Sequence, residues 1–210
     1  MKKVSSYLFA IILCVSVFTV VVFAAPNTYE LGKLGLSVTI PSKYDVVTQE
    51  TSPHSSFFSD RGLSGADIIE QFKTNGVYLN AIPNDGTNEE IVVTMTDGVF
   101  DNLSVFSSSD LKVMASSFVK EFEELGMTIT SYDVYEHSQA KFIRIFFNDT
   151  GKTVHGLQYY TNYGSKAINF AIRSYSGAIS PTQENMIKGV VDTVVFDTPP
   201  VARPSAPETD

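Results

Sequence analysis

The most suggestive chemical pattern in the chain is DTGKT at residues 149–153, which reads like the end of a phosphate-binding loop. That loop requires an earlier glycine where this chain has Phe146, and it joins a strand to a helix. Here aromatic and β-branched residues lie on both sides of the segment. The pattern therefore predicts a tight hairpin turn, and no nucleotide site is expected.

Three histidines could act as metal ligands or bases: His54, His137 and His155. None has a second histidine or a cysteine at the spacing that zinc sites use. Asp97 and Asp101 lie close together but lack the alternating acidic pattern of a calcium loop. The sequence thus predicts no metal and no cofactor.

Serine clusters raise the question of a hydroxyl nucleophile, most clearly at residues 107–109 (SSS). No serine stands in a G-x-S-x-G elbow. The members of a Ser/His/Asp triad come from distant parts of a chain, so the spacing leaves that alternative open. Serines at loops and helix starts are the commoner case, and no catalytic residue is predicted.

One alternating run offers a candidate binding surface. His155, Leu157, Tyr159, Thr161 and Tyr163 occupy every second position, so as a strand they share one face. If this face is open, the side chains form an amphipathic aromatic platform. We therefore name His155, Tyr159 and Tyr163 as candidate binding residues, with burial of the whole face beneath a helix as the alternative.

The elements around these residues are three β-type runs joined by two short turns that contain glycine, between Lys141 and Ser174. Such a pattern predicts an antiparallel meander at the centre of a sheet. In the first run Ile143 and Ile145 alternate with Phe142 and Phe146, so both faces of this strand are apolar. A strand that is apolar on both faces needs cover on both sides.

The remaining elements complete the sheet and its cover. Residues 29–31 and 36–40 flank a turn that contains Gly32 and Gly35, and further strands are predicted at 45–48, 77–82, 90–96 and 129–136. The run 45–48 is expected to continue the sheet of 36–40 after a bend at Pro41. Capping residues and apolar stripes predict helices that begin at Ser64, at about Asp110 and at Ser180, where Gln183 completes a capping box. The polar segment 51–62, which contains two phenylalanines, is expected to be a loop. The predicted fold is α+β, an antiparallel sheet of about six to eight strands with helices on both faces.

The N-terminus has the pattern of an export signal. MKK is followed by an uncharged apolar run from Tyr7 to Ala25, with small residues that predict cleavage after Ala24. The run is also long enough to span a bilayer, so a retained anchor stays open. The only cysteine, Cys14, follows Leu13, which does not suit lipid attachment. Residues 1–24 are thus a signal peptide or membrane anchor, and the rest is expected outside the cytoplasmic membrane.

The rest of the chain has the composition of one domain. Of 210 residues, 43% are hydrophobic and 18% are charged. Residues 25–197 are assigned to a single domain and 198–210 to a disordered, proline-rich tail. The net charge of −8 opposes binding to nucleic acid or anionic lipid, so membrane contact is expected only through the N-terminal segment.

The order of elements resembles the PsbP-like α/β/α sandwich. The resemblance covers about Thr28 to Phe196, and its opening is LSVTIPSKY at residues 36–44. The run GVYLNAIP at 76–83 resembles exported proteins of Gram-positive gut bacteria. PsbP proteins of plants and cyanobacteria are extrinsic subunits that assist a photosystem, so the resemblance implies an accessory role. It assigns no role to any residue.

These observations predict an exported, non-catalytic binding or accessory module at the cell envelope. The expected partner is an envelope protein or a surface polymer. A secreted hydrolase with a dispersed active site is the alternative.

Overall fold

The computed structural model describes residues 27–149 and 151–198. The predicted leader at 1–24 and the predicted tail at 198–210, except for Thr198, lie outside these residues. Within the described ranges, no helix is both long enough and apolar enough to cross a membrane.

The described residues contain ten β-strands. In chain order they are β1 (Asn27–Leu31), β2 (Leu36–Ile40), β3 (Tyr44–Thr48), β4 (Val77–Pro83), β5 (Glu89–Asp97), β6 (Met127–Glu136), β7 (Lys141–Asp149), β8 (Val154–Tyr163), β9 (Lys166–Ser174) and β10 (Val195–Phe196).

Four α-helices accompany these strands in the described part of the chain. They are α1 (Ser56–Ser59), α2 (Gly65–Thr74), α3 (Ser108–Glu124) and α4 (Pro181–Asp192), and a 3-10 turn covers Leu103–Val105.

The main sheet has seven strands in the order β3-β4-β5-β9-β8-β7-β6, and every neighbouring pair is antiparallel. The three predicted runs are confirmed as the meander β7, β8 and β9. Only β9 is the central strand, and the meander runs from it towards the edge, where β6 pairs with β7. β7 ends at Asp149 and β8 begins at Val154, and these two residues are antiparallel partners, as the hairpin prediction required. Lys152 there pairs with the Asp149 carboxylate at 3.4 Å.

The alternation along β7 separates two cores. Phe142 faces a core that it shares with Tyr159 and Phe170, and α4 covers this face together with the smaller sheet β1-β2-β10. Ile143 and Ile145 face the opposite core. There α3 supplies Leu111 and Ala115, and α1 and α2 cover the β3 end through a cluster of Val47, Phe58, Ile69 and Phe72. The predicted α+β fold with cover on both faces is confirmed.

Helix starts follow the capping residues. Ser180 and Gln183 form the predicted capping box of α4. At α3 the box is formed by Ser107 and Asp110, so this helix begins earlier than predicted. Ser107 caps because its backbone is extended and its hydroxyl accepts the Asp110 N–H.

Two predictions near the N-terminus were wrong. Strand β3 does not continue the sheet of β2, because the chain turns after Pro41 and the Tyr44 N–H donates to the Pro41 carbonyl at 3.1 Å. β2 instead pairs with β1 and β10 in a separate sheet. The segment that contains Phe57 and Phe58 is the short helix α1 rather than a loop, and it buries Phe58.

Candidate functional site

Four polar residues line up across one end of the main sheet. Glu89 on β5 is the register partner of Ser174 on β9, which is the partner of His155 on β8, which is the partner of Asn148 on β7. Directly opposite residues in antiparallel strands share a face. These residues, here called the polar row, therefore lie on one face, the side that α4 covers.

Glu89 is the most extensively bonded member of the row. Its side chain is 6% exposed. One carboxylate oxygen, Oε1, accepts from the Tyr44 hydroxyl at 2.5 Å and from Lys43 Nζ at 3.3 Å. The other, Oε2, accepts from Gln183 Nε2 at 2.7 Å. Tyr44 lies on β3, Lys43 lies in the turn before it, and Gln183 lies on α4. Donors from three parts of the fold thus hold the carboxylate in place, as a buried charge requires.

The start of α4 explains why Gln183 reaches Glu89. Ser180 is the N-cap, and its backbone N–H and hydroxyl lie 2.9 and 3.0 Å from Gln183 Oε1. Because Oε1 is used in this capping box, the amide nitrogen of Gln183 is left to donate to Glu89. The positive end of the helix dipole also favours the nearby carboxylate.

Burial and the neighbouring carboxylate set the state of Tyr44. Burial raises the pKa of the Tyr44 hydroxyl well above its usual range, and its hydrogen bond to Glu89 raises that pKa further. The hydroxyl therefore stays protonated and acts as a donor to Glu89. It also contacts Met186 Sδ at 2.7 Å, which links β3 to α4.

A cavity of about 560 Å³ lies against Glu89 and Ser174. This volume is typical of sites for small ligands. The turn after β9 and the first turn of α4 form much of its wall. Its polar lining, besides Glu89, Ser174 and Gln183, includes Lys43, Thr87, Asn88, Ser176, Ser180 and Thr182.

His155 lies further along the row and is bound to Asn148. Its Nδ1 is 2.7 Å from Asn148 Oδ1, a carbonyl oxygen that accepts, so the proton is assigned to Nδ1. In the neutral imidazole Nε2 is then the nitrogen that can accept a hydrogen bond. Ser174 Oγ is 3.4 Å from Ser176 Oγ, and among the described residues no hydrogen bond joins Ser174 to His155.

The sequence matches no protein-family model and no curated protein. Among solved structures, the cyanobacterial PsbP protein (CyanoP) of Synechocystis sp. PCC 6803 aligns with a TM-score of 0.51 and 14% identity, covering 86% of this chain and 97% of that one. The chain has a PsbP-like fold. A protein of Bacteroides thetaiotaomicron VPI-5482 aligns at a TM-score of 0.37 and 13% identity, over 77% of this chain and 45% of that one, too distant for any argument.

Within this PsbP-like fold, the three predicted binding residues do not meet at one place. They share a face of β8, as expected, but only His155 belongs to the polar row. Tyr159 is fully buried and packs edge-on against Tyr135. Tyr163 lies at the far end of β8, where its ring is 4.5 Å from that of Phe196. A binding role for each stays a prediction.

Local sequence patterns do not mark Glu89, Ser174 or Gln183 as site residues. Gln183 was identified only as a cap, and Glu89 lies one residue before the predicted start of its strand. Their convergence depends on the register of four strands, which local patterns do not determine. Glu89 stands out only because its carboxylate is buried next to a turn, and that burial can be seen only in the folded structure.

The residue after Glu89 has its own network on the opposite face. Glu90 Oε1 accepts from the Tyr175 hydroxyl at 2.5 Å and from Arg173 Nη1 at 3.1 Å. Glu90 Oε2 accepts from Asn80 Nδ2 at 2.7 Å. Burial, followed by the Glu90 charge, raises the pKa of Tyr175. Hydrogen bonds therefore hold the side chains on both faces of β5 where the strand begins, so the part of β5 that lines the cavity is rigid.

In residues 27–149 and 151–198, no three or more histidine, cysteine, aspartate or glutamate side chains are placed to hold an ion together.

Proposed function

We propose that this protein is an exported accessory module that binds a polar surface polymer of the cell envelope at the cavity beside the polar row. The observation that carries the proposal is the cavity itself. Its lining combines the Lys43 ammonium group, hydroxyls and amides with the carboxylate of Glu89, which hydrogen bonds hold in place. Donors and acceptors arranged in this way suit a ligand rich in hydroxyl and amide groups.

The bonding within the site favours binding over turnover. The Glu89 oxygens accept from Tyr44, Lys43 and Gln183, so this carboxylate is engaged rather than poised to take a proton from a substrate. Groups held this firmly are preorganised, which reduces the entropy lost when a ligand binds.

Export rests on the N-terminal pattern. A positive start and an uncharged apolar run are the features of a secretory leader, whether cleaved after Ala24 or retained as an anchor. Delivery to the envelope would bring the cavity into contact with surface polymers. An envelope protein is the competing partner, and in that case the chain should not sediment with polymer in the experiment below.

Co-sedimentation with isolated cell-wall polymer tests the proposal. The full chain, held in nanodiscs of zwitterionic lipid, should sediment with the polymer, and Thr182→Val and Lys43→Ala should each reduce the bound fraction. Lys120→Ala, on the exposed surface of α3, is the matched control and should bind normally. Equal sedimentation of all four proteins, or none at all, would reject the cavity as a polymer site.

A second candidate function, a hydrolase, is favoured by the register of Ser174 and His155. The two residues are direct cross-strand partners, and Asn148 orients the imidazole from the other side. After a side-chain rotation, His155 Nε2 would accept the Ser174 proton while Oγ attacks an acyl carbon, and the imidazolium would then return the proton to the leaving group as its bond to that carbon breaks. A fluorophosphonate probe should then label Ser174, with loss of labelling in His155→Gln. Absence of labelling in the unchanged protein would exclude this activity.

A further inference from the structure

The opposite end of the sheet carries an exposed apolar surface. Residues 98–107 connect β5 to α3, and Val99 in this connection is 87% exposed, while Val105 is 40% exposed. Exposed valines beside aromatic rings form a contiguous apolar patch. Such a patch indicates a contact surface more often than apolar residues that are exposed singly. Phe100 and Phe106 lie beside them with ring centroids 5.3 Å apart, in an edge-to-face arrangement.

This connection is fixed to the body of the protein. Leu103 is fully buried in the α3 core. The Phe100 carbonyl accepts from Asn162 Nδ2 at 3.0 Å, and the Phe106 carbonyl accepts from Lys141 Nζ at 2.9 Å. The exposed valines are therefore held in place, which lowers the entropic cost of binding a partner.

The connection encloses a groove of about 460 Å³. We call it the 100–110 groove, and its lining residues are Phe100, Asp101, Asn102, Val105, Phe106 and Asp110.

Two carboxylates give the groove its charge. Asp101 accepts a hydrogen bond from the Ser165 hydroxyl, and Asp110 accepts from the Ser107 hydroxyl at 2.6 Å. Among the described residues, none of the ion pairs includes either aspartate. The groove thus combines an apolar floor with two negative charges that no cation of the described chain neutralises.

We infer that the 100–110 groove docks an extended segment of a partner protein in which an aliphatic side chain lies between lysine or arginine residues. The aliphatic group would cover Val105 and the two phenylalanines, and the basic residues would pair with Asp101 and Asp110. Complementary charge of this kind chiefly sets specificity and association rate. The groove lies at the end of β5 away from Glu89, so this inference is independent of the polymer site.

A labelled probe peptide tests the inference. Fluorescence anisotropy of fluorescein-GKLKG is measured against the full chain in zwitterionic nanodiscs, with empty nanodiscs subtracted. We expect saturable binding that weakens with salt, and about fivefold or greater loss of affinity in Asp101→Asn and in Val105→Ser. The asparagine can still accept from Ser165, so the fold is retained. Val113→Ser, at an exposed valine on α3, is the matched control and should bind like the unchanged protein.

Charge and apolar contact are separated by two further peptides. GELEG should not bind, because its carboxylates oppose the aspartates, and GKGKG should bind more weakly than GKLKG. Equal affinity for GKLKG and GELEG, or binding unaffected by Asp101→Asn, would overturn the inference. Self-association of the chain that buries Val99 and excludes the peptide would also overturn it, since the occupant would then be a second copy.

Discussion

The side-chain amide of Gln183 donates to Glu89 Oε2 at 2.7 Å, so the capping box of α4 and the buried carboxylate of β5 form one hydrogen-bond network. The same glutamine fixes the start of a helix and the floor of a cavity. A change at this position should therefore act on the helix, the sheet end and the candidate site together, whereas a usual helix cap affects only its own helix.

The substitution Gln183→Glu keeps the capping role of this residue but removes its hydrogen bond to Glu89. Glutamate can still complete a capping box with Ser180, but it places a second carboxylate beside Glu89. At pH 7 we expect a loss of about 2–3 kcal/mol in the free energy of unfolding, because a donor is replaced by a like charge. Near pH 4 the loss should shrink, since one of the two carboxylates then takes up a proton and can donate to the other.

Urea unfolding at both pH values measures this effect. Gln71→Glu, the same chemical change on α2, serves as the control and should alter the free energy of unfolding by no more than about 0.5 kcal/mol at either pH. An equal loss at pH 7 and pH 4 for Gln183→Glu would show that Glu89 and residue 183 are not electrostatically coupled.

Tyr44 should make stability sensitive to alkaline pH. Burial, and then its bond to Glu89, raises the folded-state pKa of Tyr44 above the ordinary value of 10.0. Above pH 10 the unfolded chain therefore releases a proton that the folded chain keeps. This contribution to stability is complete below pH 10 and is lost as the pH rises further.

Tyr44→Phe removes that dependence. The variant should be less stable at pH 8, by about 1–2 kcal/mol, because Glu89 loses a donor. Its free energy of unfolding should then fall less steeply between pH 10 and 11 than that of the unchanged protein, so the two curves converge. Parallel curves in urea unfolding across this range would refute the assignment. Tyr78→Phe is the control, since Tyr78 has no side-chain hydrogen bond among the described residues.

The meander and its cover were predictable from the sequence because they depend on local alternation. Phe142 and Ile143 are neighbours with apolar side chains, so the strand had to be covered on both faces, and the structure has a core on each side. The capping residues Ser180 and Gln183 likewise marked α4 correctly. The apolar alternation and the helix cap each involve residues that lie within a few positions of one another in the sequence.

The polar row was not predictable, because it depends on pairing between distant strands. Glu89 and Ser174 meet only when β9 returns beside β5, and no local pattern specifies that register. That β1 and β2 form a separate sheet with β10 was missed for a similar reason. β10 has two residues, too few for a strand signal, and it is held through its pairing with Ser37 and Leu36.

Gly156 and Gly189 should respond in opposite ways to alanine. A Cβ at Gly156 would lie 2.1 Å from Phe147 Cζ, in a packed core, so Gly156→Ala should cost about 1–3 kcal/mol. Nothing lies within 4 Å of a Cβ at Gly189, in the interior of α4. Alanine there should raise stability by about 0.5–1 kcal/mol.

Thermal and urea unfolding of both glycine variants checks this pair. Destabilisation by Gly189→Ala would mean that α4 lies closer to a neighbour than the structure places it. A neutral Gly156→Ala would mean that the Phe147 ring does not rest on β8.

Tyr159 provides the sharpest test of the aromatic face of β8. Its hydroxyl is buried beside the Arg144 guanidinium, but it makes no hydrogen bond of ordinary geometry among the described residues. A buried polar group without a partner costs free energy, so Tyr159→Phe should leave the free energy of unfolding unchanged or raise it by up to about 1 kcal/mol. Tyr135→Phe is the matched control, because the Tyr135 hydroxyl donates to Asp192, and it should lose about 0.5–1.5 kcal/mol.

The same variant decides whether Tyr159 binds a ligand. A residue enclosed beneath α4 cannot contact a polymer at the surface, so Tyr159→Phe should co-sediment with cell-wall polymer like the unchanged protein. His155→Gln changes the polar row itself and should reduce the bound fraction. If Tyr159→Phe abolished binding while retaining full stability, the ligand would have to reach the core face of β8, and α4 would have to move away to admit it.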